Sequence, residues 1–204
     1  MKKFFMNVPL QPKGGLRKNV YYADEKSRLY MKEETSFPIF CAIHGYVQPG
    51  EAFRLIAVEA KAATAPHNTQ ILREELEELC QRQGILCPAG VEVVEGPPDG
   101  QVGSNLDTFQ RLIDYVEDGD ELFGCITYGY KSMSMALLMA MRYAYRLKQD
   151  VSISCVVYGE RDHVNNRQAV YDETALVQMD EILRLLAERG VENPRNVLDS
   201  ILSL

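Results

Sequence analysis

ELFGCITYGYKSMSMALLMAMRYAYRLKQ, residues 121–149, is the stretch that decides the fold. Its apolar start, Leu122 to Ile126, predicts a buried strand, and the spacing of apolar residues after Lys131 predicts a long helix. A polar turn, Thr127-Tyr128-Gly129-Tyr130-Lys131-Ser132, joins the two. In an open parallel sheet such a turn lies at the carboxyl end of its strand, which is where ligands bind.

The side chains of this turn suit an anionic ligand. Gly129 can adopt backbone conformations closed to other residues, Lys131 adds a positive charge, and Ser132 is a favourable helix N-cap. The start of the helix offers free N–H groups to a phosphate. Hydroxyl groups and aromatic faces come from the other three residues, Thr127, Tyr128 and Tyr130. We interpret the turn as a site for a phosphate-bearing ligand, although an ordinary strand-to-helix turn with a capping serine fits the spacing equally well.

A second polar group follows the first predicted strand, Phe4 to Val8. The loop after it contains Gln11, two glycines and three basic residues, Lys13, Arg17 and Lys18. If this strand is parallel to the one at Leu122, both loops leave the same edge of the sheet and face one ligand. A basic loop that simply extends into solvent is the alternative interpretation.

The composition limits the classes of function. The chain has 204 residues, 46% of them hydrophobic, which suffices for one well-packed domain. Its formal charge of −7 argues against a broad face for DNA or RNA, so we expect no DNA partner. Five cysteines without a CxxC pair indicate a reduced, cytoplasmic protein, and three scattered histidines lack zinc-ligand spacing. We expect no metal, no cofactor and no membrane span.

Strands alternate with helices along the whole chain. This order predicts an α/β fold: a Rossmann-like three-layer domain with a mainly parallel central sheet and helices on both faces. We place that domain at residues 1–190 and a short C-terminal helical tail at residues 191–204. Residues 19–31 are predicted to form a short extended pair or hairpin. The glutamates of an amphipathic helix opening at Asn68, which include Glu75, are predicted to form a solvent-exposed face.

The helix after Lys131 is apolar nearly all round from Met133 to Met141. Such a helix has to be covered on more than one side, by the sheet and by something else. A second copy of the chain is the simplest cover, so we predict a homodimer. A methionine-rich cofactor box is a less common use of such residues.

In order and spacing, these elements resemble the CRISPR-associated Rossmann-fold (CARF) domain. In that family a core strand ends in an Asp-x-Thr-His-Gly-Phe-Arg-Ser-like turn before an apolar helix, and here the turn is Cys125-Ile126-Thr127-Tyr128-Gly129-Tyr130-Lys131-Ser132. Tyr158-Gly159 and Asp172-Glu173-Thr174 match two further motifs of the family. Because Cys125 replaces the family's aspartate and Tyr128 its histidine, roles that depend on that acid or imidazole are not carried over.

The resemblance implies a homodimer with a symmetric cleft for a cyclic oligoadenylate, the second messenger of type III CRISPR antiviral defence. In that cleft Lys131 and backbone N–H groups would contact phosphates, and Tyr128 and Tyr130 would contact adenines. Gln11 and Lys13 would reach the same ring. A stand-alone domain of this kind also resembles the ring nucleases, which cleave the messenger without a metal, and Lys131 is then the catalytic candidate.

Two alternatives remain open at this point. The first is a binding-only sensor that acts through a partner or through an effector domain absent from this chain. The second is a Rossmann-like enzyme that uses an ordinary nucleotide. The chain lacks the G-x-G-x-x-G turn after its first strand that such an enzyme would be expected to carry.

Overall fold

A computed structural model describes residues 1–99, 101–162, 164, 165 and 167–202 of the chain. In these residues the strands are β1 (Lys2–Asn7), β2 (Tyr21–Tyr22), β3 (Phe53–Glu59), β4 (Val91–Glu95), β5 (Glu121–Cys125), β6 (Ser152–Asp162) and β7 (Arg167–Asp172). The helices are α1 (Ile39–Tyr46), α2 (Ala65–Gln83), α3 (Val102–Ile113), α4 (Lys131–Leu147), α5 (Thr174–Glu188) and α6 (Pro194–Leu202). In the described residues strands and helices alternate from β2 to β6, whereas β1 and β2, β6 and β7, and α5 and α6 follow each other directly.

The strands form one seven-stranded sheet in the order β2-β7-β6-β5-β1-β3-β4. All neighbouring pairs are parallel except β6 and β7, which are antiparallel. The predicted α/β class with a mainly parallel sheet is therefore confirmed. From β1 the chain proceeds to β3 and β4 on one side, whereas β5 and β6 lie on the other, so β1 and β5 flank a topological switch point. Ligand sites of open α/β sheets lie at such points.

Two hydrophobic clusters cover the two faces of the sheet. Successive side chains of a strand point to opposite faces, so Phe4 packs in the cluster that includes α1 and α2, and Phe5 packs in the cluster that includes α3 and α4. The ring of Phe4 stacks on Phe123 of the neighbouring β5 with a centroid separation of 4.3 Å. The arrangement is the predicted three-layer one, with helices on both faces.

The extended pair or hairpin predicted over residues 19–31 is not formed. Only Tyr21–Tyr22 forms a strand there, and it pairs in parallel with the edge of β7. Leu29 and Met31 are buried in the core without forming a strand, so their apolar pattern reflects packing and not a ladder. The strand β6 continues past Tyr158-Gly159 to Asp162, because β7 provides an antiparallel partner for the extra length.

The helix α2 differs from expectation in one side chain. It begins at Ala65 rather than at Asn68, and it ends at Gln83, before Gly84. The prediction that Glu75 lies on the solvent-exposed face is wrong, because this residue is buried while the neighbouring glutamates are exposed. Its carboxylate accepts hydrogen bonds from Thr35 Oγ1 (2.8 Å) and from the backbone N–H of Ser36 (2.9 Å).

The C-terminal part of the described chain consists of α5 and α6. Neither has a buried residue among those whose side chains are described, and α6 falls within the segment predicted as a helical tail. None of the helices in the described ranges is both long enough and apolar enough to cross a membrane.

Candidate ligand-binding site

A polar cavity of about 690 Å³ lies beside the carboxyl ends of β1, β5 and β6. Four segments form its wall: the loop after β1, the turn after β5, the hairpin made by β6 and β7, and the strand β2. We call it the polar cavity. The first and second of these segments were predicted to meet, and they do so because β1 and β5 are parallel neighbours in the sheet.

Three of the predicted ligand-binding residues line the polar cavity: Gln11, Thr127 and Tyr128. The other five do not line it: Lys13, Gly129, Tyr130, Lys131 and Ser132. Of the two other basic residues of the first loop, Arg17 lines the cavity, whereas Lys18 forms an ion pair with Glu78 of α2 at 2.8 Å. The loop therefore contributes one of its three cations to the wall.

Thr127 and Tyr128 are fixed by hydrogen bonds that reach neighbouring elements. Thr127 Oγ1 accepts a hydrogen bond from the backbone N–H of Gly159 (2.8 Å), which joins the turn to β6. The Tyr128 hydroxyl donates to the carbonyl of Ser36 (2.7 Å) and lies 3.5 Å from the hydroxyl of Tyr21. Burial raises the pKa of Tyr128 to about 12, so its hydroxyl stays protonated at neutral pH and cannot act there as a base.

Glu75 supports this wall from outside the cavity. It binds the Ser36 N–H and the Thr35 hydroxyl, and the Ser36 carbonyl in turn holds Tyr128. The backbone of Thr35 also exchanges two hydrogen bonds with Asn19, another residue of the cavity wall, at 2.9 and 3.0 Å. The buried carboxylate of Glu75 therefore positions Tyr128 and Asn19, on two sides of the polar cavity, through residues 35 and 36.

The turn between Tyr128 and α4 is tightly packed. Gly129 has a φ of +85°, and a Cβ added to it would lie 2.8 Å from the Cβ of Asn7 in β1. Ser132 is not the N-cap that the sequence predicts: the helix begins at Lys131, and the capping position belongs to Tyr130, which makes no side-chain capping bond. Ser132 therefore lies within the first turn, where its hydroxyl cannot serve the free N–H groups as a cap.

Several residues of the wall were not predicted from sequence. They come from the strand β2 and the hairpin of β6 and β7: Tyr21, Glu160, Arg161, Arg167 and Gln168. The sequence after Gly159 is continuously polar, Glu160-Arg161-Asp162, and has no alternation that would indicate a strand. Arg167 is held in place by Asp162 (3.1 Å) and by the ring of Tyr22, whose centroid lies 3.4 Å from its guanidinium carbon.

The charge of the wall is opposite to that of the chain. Three arginines line it, Arg17, Arg161 and Arg167, together with a single carboxylate, Glu160. Arg17 forms no ion pair with any residue in the described ranges. An excess of guanidinium groups in a chain of formal charge −7 favours an anionic ligand, and guanidinium geometry matches phosphate oxygens.

An apolar surface lies on the helices α3, α4 and α5. The helix α4 buries Met133, Leu137 and Met141 against the sheet but leaves Met135 67% and Met139 57% exposed. We call the surface around these two methionines the α4 face. It is continuous with two grooves of about 270 and 570 Å³, which Leu106 of α3 and Leu176 of α5 respectively help to line.

The fold and the cavity together define a Rossmann-like α/β protein with a candidate anion site beside its topological switch point. No family model matches the chain, and no curated protein shows a significant match to it. In the ranges that the structure describes, no group of three or more histidine, cysteine, aspartate or glutamate residues is placed to hold a metal ion.

Proposed function

We propose that the chain binds a cyclic oligoadenylate in a cleft between two copies of itself, as the resemblance to the CARF domain implies. The observation that carries the proposal is the polar cavity, in which the turn at Thr127 and Tyr128 meets the loop after β1. Its arginines suit phosphates, and its carboxamide and hydroxyl groups suit the edges of bases. A ring of identical nucleotides has rotational symmetry, so a two-fold protein site can contact it twice in the same way.

The α4 face supports the dimer in this proposal. Large apolar residues clustered on one exposed surface commonly mark a contact with another protein. The first turn of α4 also lies directly after the residues of the cavity wall, since Thr127 and Tyr128 line the cavity and Ser132 lines the smaller apolar groove. Pairing through the α4 face would therefore bring two such turns, and with them two cavities, towards one ligand.

Calorimetry should detect binding of a cyclic tetra- or hexa-adenylate with one ring per dimer. Arg17→Ala should weaken that binding by about 1.5–3 kcal/mol, because a charge-assisted hydrogen bond to phosphate is lost. Arg73→Ala is the matched control, since Arg73 is exposed on α2 and does not line the cavity. Tight binding of NAD or ATP with no response to the rings would contradict the proposal and favour an enzyme that uses an ordinary nucleotide.

Cleavage of the ring is a second candidate function, and Lys131 is the residue that favours it. Its side chain is exposed at the first position of α4 and forms no ion pair with any residue in the described part of the chain. Because Lys131 does not line the polar cavity, a catalytic role requires the ring to extend over the start of α4. There its ammonium would stabilise charge developing on a phosphate as the neighbouring 2′-hydroxyl attacks it and loses its proton, while the bond from phosphorus to the 5′-oxygen breaks and that oxygen leaves as a hydroxyl group.

If the ring is cleaved, the purified dimer in EDTA should convert it to linear products with 2′,3′-cyclic phosphate ends, because an internal attack needs no metal-activated water. Lys131→Ala should then reduce the rate at saturating ligand by more than it weakens binding, as expected of an interaction that strengthens in the transition state. Lys131→Arg keeps the charge and serves as the control for charge alone. Intact ring after prolonged incubation would leave the binding-only sensor, which acts through a partner or through a missing effector domain.

A further inference from the structure

We infer that Gln11 reads the amino-bearing edge of adenine and sets the base specificity of the polar cavity. The inference rests on the proposed function and goes beyond it, because it assigns base discrimination to one side chain. Contacts to phosphate position a nucleotide but do not distinguish one base from another. The cavity therefore needs a separate group that recognises the base.

The backbone around Gln11 is fixed before any ligand binds. Asn68 of α2 donates hydrogen bonds from its Nδ2 to the carbonyl of Pro9 (2.8 Å) and to the carbonyl of Gln11 (3.0 Å). Thr64 Oγ1 donates to the carbonyl of Leu10 between them (3.1 Å). Three consecutive carbonyls are thus attached to one helix, and the Gln11 side chain starts from a defined position in the cavity wall.

The Gln11 side chain has unused hydrogen-bonding capacity. Its Oε1 is buried and accepts no hydrogen bond from any residue in the described ranges. Its Nε2 donates no hydrogen bond to any residue in those ranges. Unlike Oε1, this nitrogen is not one of the buried atoms without a partner. A buried acceptor without a donor is unfavourable. No hydrogen bond within the described ranges fixes the carboxamide, so a turn about its last torsion can bring Oε1 to a donor on a molecule that enters the cavity.

The carboxamide has the right chemistry to choose adenine. It presents an acceptor and a donor side by side, and adenine presents the complementary pair, the 6-amino donor and the N7 acceptor. Guanine presents two acceptors on the same edge, O6 and N7, so one carboxamide cannot satisfy both. The 6-amino group of adenine therefore donates the missing hydrogen bond to Gln11 Oε1.

A second carboxamide in the same cavity provides a matched control. Gln168 of β7 also lines the wall, but its side-chain atoms are not among the buried atoms without a partner. The inference gives base discrimination to Gln11 and not to Gln168. The same substitution at either position removes one carboxamide from the cavity. Only the substitution at Gln11 should alter the choice of base.

The test measures the affinity of the full-length protein for two synthetic rings by calorimetry. One ring is the cyclic oligoadenylate of the size that the wild type prefers, and the other carries purine in place of adenine and so lacks the 6-amino groups. The wild type should bind the adenine ring more tightly by about tenfold to a hundredfold. Gln11→Met, which keeps the length of the side chain without its hydrogen bonds, should reduce that ratio to about one. Gln168→Met should leave the ratio at its wild-type value.

The outcomes separate the inference from the proposed function. If Gln11→Met weakens binding of both rings equally and keeps their ratio, the inference is wrong while the proposed function stands. A loss of the ratio in Gln168→Met as large as in Gln11→Met would also overturn it. If the wild type binds neither ring, the proposed function fails and the inference fails with it. Gln11→Ala, with the same expected ratio, replaces Gln11→Met if the thermal melting of that variant shows that it does not fold.

Discussion

Lys3→Met should lower the free energy of unfolding by about 1.5–3 kcal/mol, because it removes a charge-assisted hydrogen bond from the buried carboxylate of Asp120, which keeps the amino terminus and one backbone N–H as partners. The Lys3 side chain is 0% exposed and its Nζ lies 2.7 Å from Asp120 Oδ2, itself 3% exposed. It also lies 2.9 Å from Glu117 Oε2 and donates to the carbonyl of Tyr115 at 2.8 Å. Methionine fills the same space without charge, so urea denaturation would report the loss of the ion pair and not of packing.

The loss should depend on pH. Burial alone would raise the pKa of Asp120, but hydrogen bonds from Lys3, from the Glu117 backbone N–H and from the amino terminus outweigh it and lower the pKa. A carboxyl group with a lowered folded-state pKa stabilises the protein above its ordinary pKa and loses this contribution as the pH falls. The difference between wild type and Lys3→Met should therefore be largest near neutral pH and shrink towards pH 3.

Lys2→Met is the matched control for this prediction. Lys2 pairs with Glu51 at 2.9 Å, but both side chains are partly exposed, so the loss should be only about 0–1 kcal/mol. Equal losses in the two variants, or a Lys3→Met loss that does not change with pH, would show that the buried ion pair does not contribute as described.

The double variant Met135→Glu with Met139→Glu should be monomeric and should bind the ring at least about a hundredfold less tightly than wild type. Both residues lie on the α4 face, and carboxylates there would have to lose water to enter an interface, which is costly. The resulting monomer would offer the ring only one of its two cavities. Light scattering gives the mass and calorimetry gives the affinity.

Leu86→Glu provides the comparison. Leu86 is also a half-exposed apolar residue. Its backbone N–H donates to the carbonyl of Glu51, which precedes β3, so Leu86 lies at the opposite end of that strand from the cavity. This variant should keep the mass and the affinity of the wild type. A dimeric double variant would rule out the α4 face as the interface, and a monomer with undiminished affinity would mean that one cavity suffices for the ring.

The sequence was sufficient to predict the parts of the site that depend on local patterns. The apolar run before Thr127 and the periodicity after Lys131 indicated a strand, a turn and a helix. The parallel direction of β1 and β5 followed from the α/β alternation, and it brings Gln11 to the same cavity as Thr127 and Tyr128. The fold class was predictable for the same reason, because apolar residues recur with a different period in strands than in helices.

The parts that depend on long-range pairing were not predictable. Arg161 and Arg167 enter the wall because β6 continues past Gly159 beside β7, and no local pattern indicates that pairing. Glu75 has the same sequence context as the exposed glutamates around it. It is buried because residues 35 and 36, about 40 positions earlier, cross over α2 and bind its carboxylate.

The hydrogen bonds that run from Glu75 through Ser36 to Tyr128 also affect the entropy of binding. Tyr128 and Asn19 are already held in one conformation in the absence of ligand, so the cost of ordering these walls is met during folding. Each rotamer-rich side chain that is ordered only on binding costs about 0.5–1.5 kcal/mol. A ligand that fits this side of the polar cavity therefore avoids that cost, whereas any ligand that displaces the Tyr128 hydroxyl leaves the Ser36 carbonyl without a donor.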